Sequence, residues 1–273
     1  MGVSGPVAEV GRHPGVVVSL GSDGVARITI CRPERMNALD TAANAAIVAA
    51  LGEFSADPEV RAVVIDGAQG SFSSGADVAS IAAGGGIEGL SRDQAHGIIA
   101  AGSELARAVR AVPVPVIASV DGVAAGIGAS LALSADLIYA TERSYFLLAF
   151  INIGLMPDGG ATMLVATAVG RARANAMALL GEKLRAPAAL QAGLITDVVA
   201  DRAALDEVIA HVSGSLARKS APALRLTKAA LDAHTMADFD AALERELTGQ
   251  TELLQSAEFI NALKAFTAAS GAS

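Results

Sequence analysis

Tryptophan is absent from this chain, and phenylalanine and tyrosine bring the aromatic share to only 3%. So few rings exclude the stacking platforms on which single-stranded nucleic acids are held. Cysteine occurs once, as Cys31. A lone thiol rules out an internal disulfide and points to a reducing, cytoplasmic setting. Cys31 closes an alternating apolar run and reads as a core thiol, not a nucleophile. The four histidines show no metal-ligand spacing, so no metal site is expected. No apolar run reaches the length of a membrane span. The first residues lack a basic region followed by an apolar core, so no secretory leader is expected. A formal net charge of −8 repels both nucleic acid and anionic membranes, and neither is expected as a partner.

What the chain has is apolar and small. Over 273 residues, 52% are hydrophobic and 28 are glycine, enough for one large domain with tight helix–sheet packing. Residues 16–20 and 25–31 read as a hairpin whose turn, 21–24, has the right chemistry. Asp40 or Thr41 caps a helix running to about Phe54. The segments 60–66 and 115–120 are apolar enough for buried strands, and 136–140 reads as the next strand. A short helix follows Asp77, the glycine-rich stretch 82–86 is expected to be mobile, and 91–112 is helical. Helices are expected over 129–134, 159–169, 171–180 and 187–192, with Pro187 in a first turn, where its missing N–H costs nothing. A strand over 195–199 precedes three longer helices ending near Ala269. Residues 1–14 read as a loose arm, 15–200 as an α/β core and 201–273 as a C-terminal helical region.

Two glycine loops each follow a buried strand and open a helix. One is Phe72-Ser73-Ser74-Gly75-Ala76-Asp77; the other is Asp121-Gly122-Val123-Ala124-Ala125-Gly126-Ile127-Gly128. A helix N-terminus offers unpaired N–H groups and a positive dipole end, and two facing one pocket can hold a developing oxyanion. These loops combine with Arg32-Pro33-Glu34-x-x-Asn37-Ala38-Leu39 upstream and Gly154-Leu155-Met156-Pro157-Asp158-Gly159-Gly160 downstream. In order and spacing the four stretches resemble the crotonase (enoyl-CoA hydratase/isomerase) superfamily, over residues 16–199 with a family-like helical tail.

The resemblance implies a crotonase-like twisted sheet of repeated ββα units with a C-terminal helical subdomain, assembled as a homotrimer or hexamer. It implies chemistry on acyl-CoA thioesters through an enolate, with no cofactor beyond the coenzyme A of the substrate. By motif, the oxyanion donors are the backbone N–H groups of Ala76 and Ile127. Coenzyme A contacts fall on Arg32, Arg35, Ala38, Ser74, Ala76, Asp77, Val78 and the C-terminal Lys264. Asn37 ties loop backbone together, and Asp77 is read as a structural acid at a helix start. Isoleucine stands where glycine is often found, so a positive φ at Ile127 is a concern.

The chain departs from the hydratase pattern. Family hydratases use two glutamates, one to activate water and one to supply a proton, and those places hold Ser130 and Phe150. Neither does acid–base work at neutral pH. Asp158 remains, where several family isomerases carry an acid. A Δ3-to-Δ2 enoyl-CoA isomerase needs one base, and an apolar pocket raises an aspartate toward a useful pKa. The competing reading of Asp158 is a helix N-cap. The alternatives for the whole chain are a non-catalytic acyl-CoA binder, a hydratase with atypical water activation and, remotely, a serine hydrolase. The last rests on Gly128-Ala129-Ser130-Leu131-Ala132 as a nucleophile elbow, with only His211 and His234 downstream.

Overall fold

The computed structural model describes residues 8–13, 15–78 and 90–270. The glycine-rich stretch 82–86 lies outside the described residues. Seven strands form the main sheet: β1 (Ala8–His13), β2 (Val16–Leu20), β3 (Val25–Ile30), β4 (Ala62–Gly67), β5 (Val116–Val120), β7 (Leu137–Thr141) and β10 (Asp197–Val199). They lie in the order β1-β2-β3-β4-β5-β7-β10. The first three pair antiparallel and the rest parallel.

The parallel strands read as continuous apolar runs because both faces are covered. Val63, Ile65, Val116 and Ala118 enter the main core on one side. That side is closed by α1 (Thr41–Ala56), α2 (Arg92–Ala111) and α3 (Ile127–Leu133). Val64, Ile117 and Tyr139 meet Leu205 and Ile209 of α6 (Arg202–Ala217) on the other. Asp40 caps α1 by accepting from the Ala43 N–H at 2.8 Å, and Ser91 and Gln94 form a capping box on α2.

A second, three-stranded sheet joins β6 (Val123–Ala125), β8 (Tyr145–Leu147) and β9 (Leu184–Arg185). Together β5, β6 and α3 make one strand–strand–helix unit of the expected kind. The helices α4 (Ala161–Leu180, broken at Gly170) and α5 (Ala186–Gln191) complete the core. Beyond α6 come α7 (Ala221–Thr235), α8 (Phe239–Leu253) and α9 (Ala257–Ser270). The region after β10 therefore holds four helices, not three.

Two other expectations are corrected. Residues 8–13 are not a loose arm: they form β1, hydrogen-bonded along β2 through a bulge between Glu9 and Gly11. Backbone pairing supplies what the weak side-chain pattern does not. Cys31 is exposed, not in the core. The alternation of β3 buries Ala26, Ile28 and Ile30 and turns Arg27 and Thr29 the other way, and Cys31 falls in step with that outer face.

Candidate active site

The two glycine loops come together as neighbouring parallel segments. Ser73 bridges to Ala124: the Ser73 N–H donates to the Val123 carbonyl, and the Ala125 N–H donates to that of Ser73, both at 2.9 Å. This register brings the chain just before Ala76 alongside the chain just before Ile127. Gly75 and Gly126 are in contact there, since a Cβ on Gly75 would lie 2.9 Å from the Ala125 carbonyl oxygen and 3.6 Å from the Gly126 Cα.

On its other side Ala76 bridges to Leu39, through bonds made by the Leu39 and Asp77 N–H groups. In a parallel bridge of this kind the middle residue's own N–H points away from the partner segment. The Ala76 N–H is thereby directed away from the 36–39 segment. Neither the Ala76 N–H nor the Ile127 N–H donates to a protein acceptor among the described residues. Ile127 is the first residue of α3, so its N–H belongs to the unpaired group at a helix start. The left-handed conformation the turn requires falls on Gly126, at φ 54°. Ile127 is not among the residues of positive φ, so the isoleucine is unstrained.

The loops are held from behind by buried polar side chains. Asn37 donates to the carbonyls of Ala68 and Ser71 at 2.8 and 2.6 Å and accepts from the Arg32 N–H. Ser144 accepts from the Gly122 N–H and donates to the Val120 carbonyl, both at 2.9 Å. Arg32 does not stand free for a phosphate. Its guanidinium is clamped between Asp40 and Asp77, 2.9 Å from each, and also donates to the Ala38 carbonyl. Arg35 is exposed beside it, and Ser74 donates to the Arg35 carbonyl. Residues 36–39 thus lie along 74–77, bringing Ala38, Ser74, Ala76 and Asp77 into one strip, with Val78 next in chain. Lys264 is exposed on α9.

Asp158 is buried against the first turns of α3. Its carbonyl accepts from the Ser130 hydroxyl at 2.7 Å. The next residue, Gly159, has φ 64°, and a Cβ there would meet the Ile127 Cδ1 at 2.6 Å and the Ser130 Cβ at 2.9 Å. Phe150 is buried, with its ring against Gly126. At the two positions where the resemblance places the hydratase glutamates, Ser130 braces the Asp158 backbone and Phe150 forms an apolar wall. A serine committed to a carbonyl at 0% exposure is also no hydrolase nucleophile.

Asp158 is not the helix cap. The cap of α4 is Gly160, and the acceptor for its first turn comes from α8. Glu246 accepts from the N–H groups of Gly160 and Thr162 at 2.7 and 2.9 Å and from the Thr162 hydroxyl at 2.5 Å. With the cap supplied from elsewhere, the Asp158 carboxyl has one bond among the described residues: Oδ2 accepts from the Gln250 side-chain amide at 3.0 Å. Its Oδ1 is buried with no partner among the described residues. Burial pushes the Asp158 carboxyl up to about 7; the Gln250 hydrogen bond opposes this and the nearby Glu246 charge adds to it. Burial also raises Glu246, against the hydrogen bonds from Thr162 and Gly160.

Sequence reasoning missed Glu246 and Gln250. Their signal is legible afterwards: Phe239, Leu243, Glu246 and Gln250 fall at steps of four, three and four on the buried stripe of α8. Two polar residues on an apolar stripe ask for buried partners.

The description "Enoyl-CoA hydratase/isomerase" belongs to the family model that matches residues 21–269. A probable enoyl-CoA hydratase of Rhodobacter capsulatus is 39% identical over 245 residues, covering 90% of this chain and 92% of that one. A 1,2-epoxyphenylacetyl-CoA isomerase of Escherichia coli is 32% identical, covering 92% of this chain and 95% of that one. The crystal structure of an enoyl-CoA hydratase from Mycobacterium avium subsp. paratuberculosis superposes with a TM-score of 0.83 at 42% identity, over 97% of both chains. With its sheet order and paired glycine loops, the chain belongs to the enoyl-CoA hydratase/isomerase family of the crotonase superfamily.

Proposed function

We propose that the protein shifts the double bond of an enoyl-CoA from Δ3 to Δ2, with Asp158 as its single base. The thioester oxygen sits on the Ala76 and Ile127 N–H groups, which stabilise the charge that develops as the C2 proton leaves. The observation that carries the reading is Asp158 itself: a buried carboxyl with one unpartnered oxygen and a pKa of about 7, packed against the turn that presents the Ile127 donor. A base poised near the working pH both takes and returns a proton efficiently.

Hydration is the second reading, and the name of the 39%-identical relative favours it. Against it stand Ser130, bonded to a backbone carbonyl, and Phe150, which has no proton to move. A 3-enoyl-CoA and a 2-enoyl-CoA, incubated separately with the protein, distinguish the readings by conjugated thioester absorbance. Gain from the 3-enoyl substrate without loss from the 2-enoyl one supports isomerisation. Loss of the 2-enoyl signal with formation of a 3-hydroxyacyl product means hydration. Binding without turnover of either means an acyl-CoA binder, and sinks the proposal.

The donor role of Ile127 has its own test. Proline is well suited to the first position of a helix, where its missing N–H breaks no intrahelical bond. Ile127→Pro should therefore fold and bind acyl-CoA while kcat falls by about 10²- to 10³-fold, the usual loss for one oxyanion donor. A change below about threefold would remove Ile127 from the oxyanion site.

Assembly as a homotrimer or hexamer is part of the same proposal. No residue of α7 is buried within one chain, and Leu226 and Leu231 are 70% and 62% exposed. Such a face is covered when subunits associate. Light scattering should give the mass of three or six chains; a monomer at micromolar concentration would contradict it.

A further inference from the structure

The carboxyl of Asp158 has two oxygens in different surroundings, and the difference is set from α8. The Met156 N–H donates to the Gln250 Oε1 at 3.3 Å. Only the oxygen end of the amide can accept that bond, so the Gln250 Nε2 end is turned to Asp158, where it donates to Oδ2 at 3.0 Å. Gln250 is fully buried and is the one side-chain donor to the Asp158 carboxyl among the described residues. One helical turn earlier, Glu246 holds the Gly160 and Thr162 N–H groups. The turn that carries Asp158 is thus suspended at both ends from two side chains four residues apart on one helix.

We infer that Gln250 is a positioning residue that reserves Oδ1 of Asp158 as the proton-carrying atom. This rests on the reading of Asp158 as the base. With Oδ2 engaged, the C2–H bond of a 3-enoyl thioester breaks toward Oδ1. An Oδ1–H bond forms, and the C–H electrons enter the dienolate spread over the thioester oxygen, C2 and C4. The same Oδ1–H then gives its proton to C4, the C2=C3 double bond forms and the carboxylate is restored. No other reactant is consumed.

The surroundings leave little else to set this carboxyl's behaviour. From α8 it faces the charge of Glu246, on which Arg245 acts in turn. From α3 it faces Ile127 and Ser130, both uncharged. Gln250 is the group that favours the ionised form.

Three variants test the inference. Gln250→Met removes the donor at similar volume. The limb on which kcat/KM falls toward low pH should move up by about one pH unit, the size expected for a lost bond to a charged group, and kcat should fall about tenfold with KM unchanged. Gln250→Glu keeps the acceptor for Met156 but sets a carboxyl against Oδ2, so its limb should move up further; it also serves if the methionine variant fails to fold. A purely structural role for Gln250 would lower the melting temperature and leave the limb and kcat in place, which would overturn the inference. Asp158→Asn, measured alongside, separates the two possible failures. If it turns over as the parent does, the base is misassigned and Gln250 has nothing to position. If it is inactive while both Gln250 variants keep the parent's pH profile, the base stands and the positioning role falls.

Discussion

Asp158→Asn should lose about 10³- to 10⁴-fold in kcat on a 3-enoyl-CoA while acyl-CoA binding persists. In the proposed isomerisation one carboxyl serves as base in the first half-reaction and as acid in the second, so its loss would remove both proton transfers, each worth about 10²- to 10⁴-fold. The substrate would still be held by its coenzyme A part and by the two backbone N–H groups, neither of which the asparagine disturbs. The parent enzyme should show the matching pH dependence. A base must be ionised to act, and Asp158 titrates at about 7. The value of kcat/KM should therefore be level above that pH and fall tenfold per unit below it. Retention of a tenth or more of parental turnover in the asparagine variant, or a profile flat down to pH 5, would refute the assignment.

The same substitution should stabilise the fold. Asp158 is held in the folded protein at about 7 against an ordinary value of 3.8. Between those values the folded state binds a proton that the unfolded chain has released, so stability falls as pH rises through the window. At about 1.4 kcal/mol per unit, an upper bound near 4 kcal/mol separates the two ends. Asparagine cannot ionise and keeps the shape. Asp158→Asn should melt several degrees above the parent at pH 8, and the gap should close by pH 4. Thermal melts at the two pH values decide it, and equal melting temperatures at pH 8 would mean that the carboxyl is not strained by burial. A group that costs stability and gains activity when ionised is a familiar compromise at catalytic positions.

Much of this site was legible because its determinants are local. The glycines at 75 and 126 and the Pro157-Asp158-Gly159-Gly160 turn each announce a backbone conformation within a few residues, whereas α3 begins at Ile127, two residues before the expected 129. The buried strands β4, β5 and β7 were legible for the same reason, as short apolar runs bounded by turns. What escaped depends on distance or on pairing. Strands β6, β8 and β9 have three, three and two residues and exist through their hydrogen bonds to one another. Glu246 is 86 residues from the Gly160 N–H it caps, and Gln250 is 92 from Asp158. No local pattern states that separation, and the cap-like Pro157-Asp158-Gly159-Gly160 run gives no sign that the first turn of α4 is held from α8. Cys31 is a different case. Its alternation with Arg27 and Thr29 places it on the outer face, while the apolar character of the run argues for the core.

The central claim is that one buried carboxyl carries the proton from C2 to C4, and isotope transfer tests it most directly. A 3-enoyl-CoA dideuterated at C2, turned over once in ordinary water, would be analysed for deuterium at C4 of the 2-enoyl product. A single screened base predicts deuterium at C4 well above the solvent background. A product whose new C4 hydrogen comes wholly from water would mean separate groups or open exchange with solvent, and would contradict the account.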